Sequence, residues 1–567
     1  MNTIKLDVEY ATQALKEIPV GYIDKTICGC GMTSVALENI LDTILLVPNI
    51  ELATNKAAQY PNERSSFTLL PVWGNTTDED ISRYVDSVPV IKIVCVYDSL
   101  RKVEHLMERC RLIIDESQEL LTLSRNIERA RSIAYVFETA RYFTHKLSFI
   151  SSTPTPLEYM PSWVSEMPQV KYEWTNSRKA VPIICNHSQP YRALKHDILV
   201  PLNENRTVTL SGKTFSKVIV FMNSVEQIAK TISDVNIDKK KCAIICGDNI
   251  RNELKIKGIA RLTDPKTLPV FTFITASGFK GIDLYDKDAM TVVVSNTQKK
   301  WQMVDILTDL KQAVSRQRDK TNPNYGSYVY IYNQSEFEKT EEQLLEKLDQ
   351  VKHKIENAVS LWEYANNNEL LNGWTSDRDI QAYTHFVDGK LEMNQMAFSA
   401  DRYFILELRR QYTKGFDIGA NFDETVSIEA RKLPTDITYA QMAGYFNTNH
   451  TGGNIDWGPY SHKTEWIDTI ESCFKLYGKA WENISYSKQM ISSYGNPFAQ
   501  MQLQVMGRLK EGNTYSRKEI VNALSHVYKQ AGLEKAARYT DLYQFSKFRE
   551  TRNRYGRLIT IIKYNHV

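Results

Sequence analysis

Nine short apolar runs between residues 43 and 333, separated by polar stretches of helix length, constrain this chain more than any other feature. TILLVP, VIKIVCVY, RLIIDES and KLSFISSTP come first; KVIVFMN, CAIICG, VFTFITA, AMTVVVSN and SYVYIYN follow. The runs are continuous rather than alternating, so strands made from them need cover on both faces. Helical crossovers supply that cover and make the sheets parallel. The series breaks between about 160 and 210, where MPSWVSEMPQVKYEW and NENRTVTLSGKTF read as linker and hairpin. The expected fold class is α/β, with parallel-sheet domains at 1–165 and 211–335 and a linker and hairpin at 166–210 between them.

With 567 residues the chain has room for more than those two cores. Residues 336–372 read as a helical connector, because Leu344, Leu348, Val351 and Ile355 recur three or four apart on one face. Residues 373–504 are a mixed accessory region, rich in Tyr and Trp, to which the sequence assigns no chemistry. The last segment, 505–567, carries 13 Lys and Arg against 5 Asp and Glu, a net +8 in a chain whose total is +3. There, Ser516-x-x-Glu519 is a capping box, Ile520, Leu524 and Val527 share a face, and Gly532 ends the helix. A second helix is expected from Thr540, then a hairpin with Arg552, Arg554 and Arg557 around Gly556. Helix, helix and basic hairpin resemble a winged helix, a small α+β domain. Lys547, Arg549 and the three tip arginines would contact phosphates, which gives affinity rather than sequence choice.

Composition excludes several classes. Eight cysteines without paired C-x-x-C spacing make neither a disulfide framework nor a zinc site, and their place in apolar runs favours a reducing compartment. The N-terminus lacks an apolar signal core, and no apolar run approaches the roughly 18 residues of a membrane span. A cytoplasmic protein without a membrane partner is expected. The ten histidines show no paired metal spacing.

The chemistry concentrates in five short segments. Asp24–Leu37, DKTICGCGMTSVAL, has the outline of a phosphate-binding loop, G-x-x-x-x-G-K-[ST]. Gly31 and Thr33 fit, Thr26 replaces the first glycine, and Met32 stands where the lysine belongs. Gly29 and Gly31 permit close backbone approach to phosphate, and Lys25, just ahead of the loop, is the candidate for the missing charge. Asp115 and Glu116 emerge at the carboxyl end of RLIID, where open α/β sheets bind ligands. One such acid can hold a metal-bound water, and the next can orient the attacking one. FISSTP places Ser151, Ser152 and Thr153 at another strand end, TASGFKGID places Thr275, Gly281 and Asp283, and QAVSRQR places Gln312, Arg316 and Arg318 on a helix.

In this order the segments resemble the superfamily 2 helicases, the DEAD/DEAH-box and related translocases, over roughly residues 20–335. The loop resembles motif I, VPNIEL motif Ia, YDSL motif Ib, DESQ motif II, SST motif III, TASGFKGID motif V and QAVSRQR motif VI. The resemblance implies two RecA-like domains with ATP between them. Lys25, Gly29, Gly31, Thr33, Ser34, Gly281 and Asp283 would bind ATP, and Thr33 and Asp115 would hold Mg2+. Glu116 would be the catalytic base, Gln118, Ser151 and Thr153 would couple hydrolysis to domain motion, and Arg316 and Arg318 would complete the site. Thr275 would line the nucleic-acid track. DESQ is neither DEAD nor DEAH, Ser315 stands where motif VI often has glycine, and Arg318 is one place off the usual second arginine.

The expected function is an ATP-dependent helicase or translocase acting on nucleic acid, DNA favoured over RNA, alongside replication or recombination proteins. The diverged motif I suggests a phage or mobile-element type. Two alternatives remain: a nucleic-acid-binding scaffold without turnover, and a packaging-type ATPase.

Overall fold

The computed structural model describes residues 1–60, 67–126, 129–175, 181–279, 281–365, 377–387, 390–419, 426–427, 501, 504–505, 508–533, 535–553 and 556–564. The chain forms two compact units. One comprises Met1–Asn223, Lys241–Ile245 and Arg261–Ala430; the other comprises Ser224–Lys240, Cys246–Ala260 and Arg431–Val567.

The first unit contains two parallel sheets, and every one of the nine apolar runs supplies a strand. The first sheet runs Asn2–Leu6, Gln169–Trp174, Gly21–Asp24, Leu147–Ser151, Arg111–Asp115, Thr43–Val47, Lys92–Val96, Leu70–Val72. All of its pairings are parallel. Ile44, Leu46, Ile93, Cys95, Leu112 and Ile114 enter one core, while Leu45, Val47, Val94, Val96 and Ile113 enter another. Alternate residues of the same strands are thus buried on opposite faces, as continuous apolar runs require. The second sheet includes Cys242–Ile245, Phe271–Ile274, Val218–Met222, Met290–Val294, Ser327–Tyr332 and Val181–Asn186 in that spatial order.

The segment 166–210 is more than linker and hairpin. Gln169–Trp174 joins the first sheet and Val181–Asn186 the second; only Val208–Leu210 and Lys213–Phe215 make the isolated hairpin. The first of these carries no continuous apolar signature, because its side chains alternate buried and half-buried, with Lys171 and Glu173 at half-buried positions. The connector forms the helix Glu341–Ala365, whose Leu348, Val351 and Ile355 pack with Ile380 and Phe398. Of the accessory region 373–504, the described part includes a hairpin, Thr384–Val387 with Lys390–Met393, and the helix Gln395–Tyr403.

In the second unit, Thr514–Ser516, Gly556–Tyr564 and Ser546–Asn553 form a three-stranded antiparallel sheet against the helix Arg517–Ala531. Ser516 and Glu519 make the reciprocal cap, and Gly532 closes the helix at φ 68°. Ile520, Leu524 and Val527 are buried together with Leu542, Phe545, Ile559 and Ile561. The helix expected from Thr540 is a short 3-10 helix, Tyr539–Gln544, whose Asp541 bonds back to the Arg538 amide. No helix among the described residues is long and apolar enough to cross a membrane.

One buried charge braces the first sheet behind the phosphate-loop segment. Lys92 is fully buried, and its ammonium donates to Leu41 O at 2.7 Å, Asn39 Oδ1 at 2.9 Å, Thr43 Oγ1 at 3.3 Å and Ala36 O at 3.4 Å. Ala36 lies in the last turn of the helix Met32–Glu38 and the other three acceptors follow it, so the lysine caps the helix's C-terminal end. Burial pulls the Lys92 pKa down to about 8, with Asp42 opposing. Lys92→Met is expected to cost about 1–3 kcal/mol at pH 7, because buried carbonyls lose their donor. The unfolded chain binds the proton more tightly, so this group makes wild-type stability rise with pH from about 8 to the ordinary lysine value. Denaturant titrations from pH 7 to 10 should show that rise in wild type and its loss in the variant.

Candidate functional site

Parallel strands bring their carboxyl ends to one edge, and that edge of the first sheet collects the reactive side chains. Asp24 lies opposite Ser151, and Asp115 opposite Ile150, so the residues that follow these strands converge. Lys25 leaves its strand with its amide on Ser151 O at 2.7 Å and its carbonyl held by Trp174 Nε1 at 2.9 Å. Its ammonium, in a residue only 4% exposed, lies 3.0 Å from Asp115 Oδ1 and 3.2 Å from Glu116 Oε1. Burial opposes that charge, but the two carboxylates outweigh it and hold the Lys25 pKa above its ordinary value.

The loop after Lys25 keeps the backbone that glycines normally permit. Thr26 occupies φ 55°, Gly29 φ 72° and Gly31 φ 80°. A β-branched residue at positive φ is strained by about 1–3 kcal/mol. Two bonds offset this at Thr26: its amide donates to Asp24 Oδ1 and its hydroxyl to Tyr172 O, both at 2.8 Å. Gly31 precedes the helix Met32–Glu38. Met32 is 1% exposed and packs in the core with Val35, Leu37 and Ile23, so the residue in the lysine position faces inward. Thr33 Oγ1 donates to Asp115 Oδ2 at 3.0 Å. Ser34 is turned away from this cluster and takes a bond from the Tyr60 hydroxyl at 2.9 Å.

Glu116 sits at φ 52°, a left-handed backbone fixed by its amide bonding to Asp115 Oδ1 at 2.9 Å. Its Oε2 accepts from Gln118 Nε2 at 2.9 Å and from Gln312 Nε2 at 2.8 Å. Burial alone would raise the Glu116 pKa; Lys25, then Arg316, then the Gln118 amide overcome it and hold the carboxyl well below its usual range. Gln118 accepts the Ser151 hydroxyl, Ser151 accepts the Thr153 amide at 2.9 Å, and the Thr153 hydroxyl is buried without a partner among the described residues. The expected acids and coupling residues therefore form one connected array. Tyr97, from the YDSL segment, backs it by donating to Asp115 O.

Residues associated with the second sheet complete the array. Gln312 Nε2 also reaches Ser152 Oγ at 3.0 Å, and Arg316 donates to Gln312 Oε1 at 2.9 Å. Arg318 bonds Asp283 Oδ1 at 2.8 Å and Cys28 O at 3.3 Å. Its guanidinium is packed so closely on Gly29 that a Cβ there would lie 2.4 Å from Nη1. The helix expected to carry Gln312, Arg316 and Arg318 ends at Val314, so both arginines lie beyond it; Arg318 touches the loop, while Arg316 is tied to the Gln312 side-chain amide. Asp283, against the pull of burial, is held below its ordinary pKa by Arg318 and Arg316. Gly281, at φ 89°, gives its carbonyl to Asn55 at 2.6 Å, and Thr275 bonds Ser277 and Ile245 O. Lys547 and Arg549 are exposed on one face of their strand; Arg554 and the side chains of Arg552 and Arg557 lie outside the described residues, as does Lys280.

Four contributors had no clear signal in the sequence. Cys28 Sγ lies 2.9 Å from Ser152 Oγ. Lys56, on the helix Ile50–Gln59, has a lowered pKa because burial outweighs the attraction of Asp115 and Asp283. Asn223 accepts from the Ala276 amide at 3.2 Å and donates to the Trp301 carbonyl at 2.5 Å. Trp301 itself is 60% exposed, with Lys299 Nζ 5.2 Å from its ring centre.

No protein-family model and no curated protein matches the sequence. Solved structures do. Mss116p bound to ssRNA and AMP-PNP is 12% identical over 62% of this chain and 78% of its own, with a TM-score of 0.38. Saccharomyces cerevisiae Dbp5 bound to RNA and ADP BeF3 is 12% identical over 56% and 80%, with a TM-score of 0.36. The Mycobacterium smegmatis helicase Lhr bound to ssDNA and AMP-PNP is 14% identical over 57% and 44%, with a TM-score of 0.34. These likenesses are remote, and function rests on the chain's own side chains.

Proposed function

We propose that this chain is an ATP-dependent nucleic-acid motor, a helicase or translocase of superfamily 2 type. The observation that carries the proposal is the buried Lys25 between Asp115 and Glu116, with Gln312 closing on Glu116 from the side of the second sheet. An ammonium, a hydroxyl and two acids at a glycine-bearing loop suit a nucleoside triphosphate and a hydrolytic water. Lys25 would pair with the phosphates at the mouth of the loop, and backbone amides of the Gly29–Thr33 segment would face them. Thr33 Oγ1 and Asp115 Oδ2, 3.0 Å apart, fit a shared Mg2+. The metal would neutralise charge on the phosphate oxygens. Glu116 would accept the proton of the attacking water. Because Lys25 keeps Glu116 a weak base, transfer of that ammonium to phosphate would strengthen the base when substrate is in place. Arg318, against Gly29, would stabilise charge on the γ-phosphate; Arg316 would hold Gln312 in register, and Asp283 would hold Arg318. Gln118, Ser151 and Thr153 would carry the change between domains.

The domain plan follows: RecA-like domains built on 1–165 and 211–335, the first completed by Gln169–Trp174 and the second by Val181–Asn186, and a nucleic-acid-binding domain at 505–567. The strand order of that last domain, with Thr514–Ser516 and Ser546–Asn553 flanking Gly556–Tyr564, supports a winged helix. DNA is the favoured polymer, in replication or recombination, and a phage or mobile-element origin suits the altered loop. Lys547→Ala with Arg549→Ala is expected to weaken DNA binding at all sequences alike. It should also reduce the slope of log K against log salt by up to about 2; fluorescence anisotropy across a salt series measures both. Thr275 and the linked Asn223 and Trp301 would border the track within the first unit. Trp301→Ala should weaken single-strand binding by about 1–3 kcal/mol through lost base stacking, while polymer-free ATP turnover stays unchanged.

Steady-state ATP hydrolysis with and without single-stranded DNA, duplex DNA and RNA tests the proposal. Polymer-stimulated turnover supports a motor and identifies its track. Binding of polymer without any turnover would instead make the chain a scaffold.

A further inference from the structure

Away from the Lys25 cluster, a helix and a hairpin of the first unit bring together three side chains of types that can ligate a metal. His385 and Glu392 are direct cross-strand partners in the hairpin Thr384–Val387/Lys390–Met393. Glu138 reaches them from the helix Ala130–Ala140, with Oε1 3.0 Å from His385 Nε2. One ligand atom from each of the three lies within 4.8 Å of the others. Ligands held about 2.0–2.1 Å from a tetrahedral metal stand about 3.3 Å apart, so small side-chain adjustments close this triangle around an ion.

Two further observations point to a ligand. His385 is 8% exposed, and among the described residues its ring bonds only Glu138, through Nε2, while the buried Nδ1 has no hydrogen-bond partner. Among the described residues, no lysine or arginine pairs with Glu138 or Glu392, which leaves two carboxylates beside one imidazole without a fixed cation. A divalent ion taken by Nε2 would replace its bond to Glu138 Oε1, neutralise the two carboxylates and leave Nδ1 to carry the ring proton.

We infer that Glu138, His385 and Glu392 form a divalent metal site of the Zn2+ class. One nitrogen and two carboxylate oxygens suit Zn2+ or Co2+ better than Mg2+ or Ca2+, which favour all-oxygen shells. The half-exposed Glu138 and exposed Glu392 leave the fourth position open to water. The ion ties the accessory hairpin to a helix of the ATP-binding lobe, and it is separate from the Mg2+ position at Thr33 and Asp115.

Titration of the metal-stripped full chain with Co2+, without nucleotide, tests the site. The expected result is one saturable site with visible bands of nitrogen and oxygen ligation and no thiolate charge-transfer band, plus a rise in melting temperature with Zn2+. Glu392→Gln, at an exposed position, should weaken binding at least tenfold, and His385→Ala should abolish it along with the thermal shift. A thiolate band would place the ion on cysteines and overturn the inference. So would the absence of saturable binding, or equal binding by wild type and Glu392→Gln.

Discussion

Lys25→Met is expected to abolish binding of an ATP analogue with Mg2+ and to destabilise the protein by about 3–5 kcal/mol, the cost of leaving a buried charge without its partner. The first effect follows from the proposed role of the ammonium. The second follows from burial: Asp115 and Glu116 are 2% and 8% exposed and share this one lysine. The pH dependence separates the two. The lowered pKa of Glu116 contributes stability in wild type above the ordinary carboxylate range, and that contribution is lost as pH falls through the lowered value. The raised pKa of Lys25 contributes below the ordinary lysine value and is lost only as pH rises through the raised one. Without Lys25, burial pushes the carboxyl up instead, so the variant can take a proton under mild acid. The stability gap between wild type and Lys25→Met should therefore shrink from pH 7 toward pH 4. Adding Met32→Lys should not restore nucleotide binding, because that side chain points into the core with Val35 and Leu37. Analogue binding by the double variant at wild-type strength would return the lysine to its usual place and overturn the role of Lys25.

This displacement shows what was legible in the sequence and what was not. The apolar runs announced the parallel strands because burial on both faces leaves no polar positions to confuse the pattern. Asn2–Leu6 and Gln169–Trp174 lie toward one edge of their sheet and keep half-exposed side chains, so their composition is mixed. Lys25, Asp115 and Glu116 could be named because strand ends are readable and charged residues beside apolar runs are conspicuous. Their mutual distances were not readable, since contact across about ninety residues depends on strand order. Arg316 stood nearer than Arg318 to the usual motif spacing, yet Arg318 lies on the loop; both follow the helix Asp309–Val314, so no helical period specifies which guanidinium turns outward. His385 and Glu392 carried no signal, because a cross-strand pair seven residues apart follows no helical metal spacing.

Glu116→Gln is expected to reduce polymer-stimulated ATP turnover by roughly a thousandfold, the usual contribution of a positioned general base, while ATP–Mg2+ still binds. The geometry makes this substitution discriminating. Gln118 and Gln312 both donate to Glu116 Oε2, and an amide oxygen in that position can accept both bonds. The amide nitrogen then faces Lys25 where a carboxylate oxygen stood, so the lysine loses one partner and keeps Asp115. An ammonium with one fewer carboxylate is freer to pair with phosphate, and analogue affinity should hold or increase. A purely structural role for Glu116 would move binding and turnover together, through loss of the Gln312 contact. Single-turnover hydrolysis beside equilibrium binding of the analogue separates these cases. Turnover near wild type would remove Glu116 as the base; turnover and affinity lost in parallel would reduce it to a bridge between the two sheets.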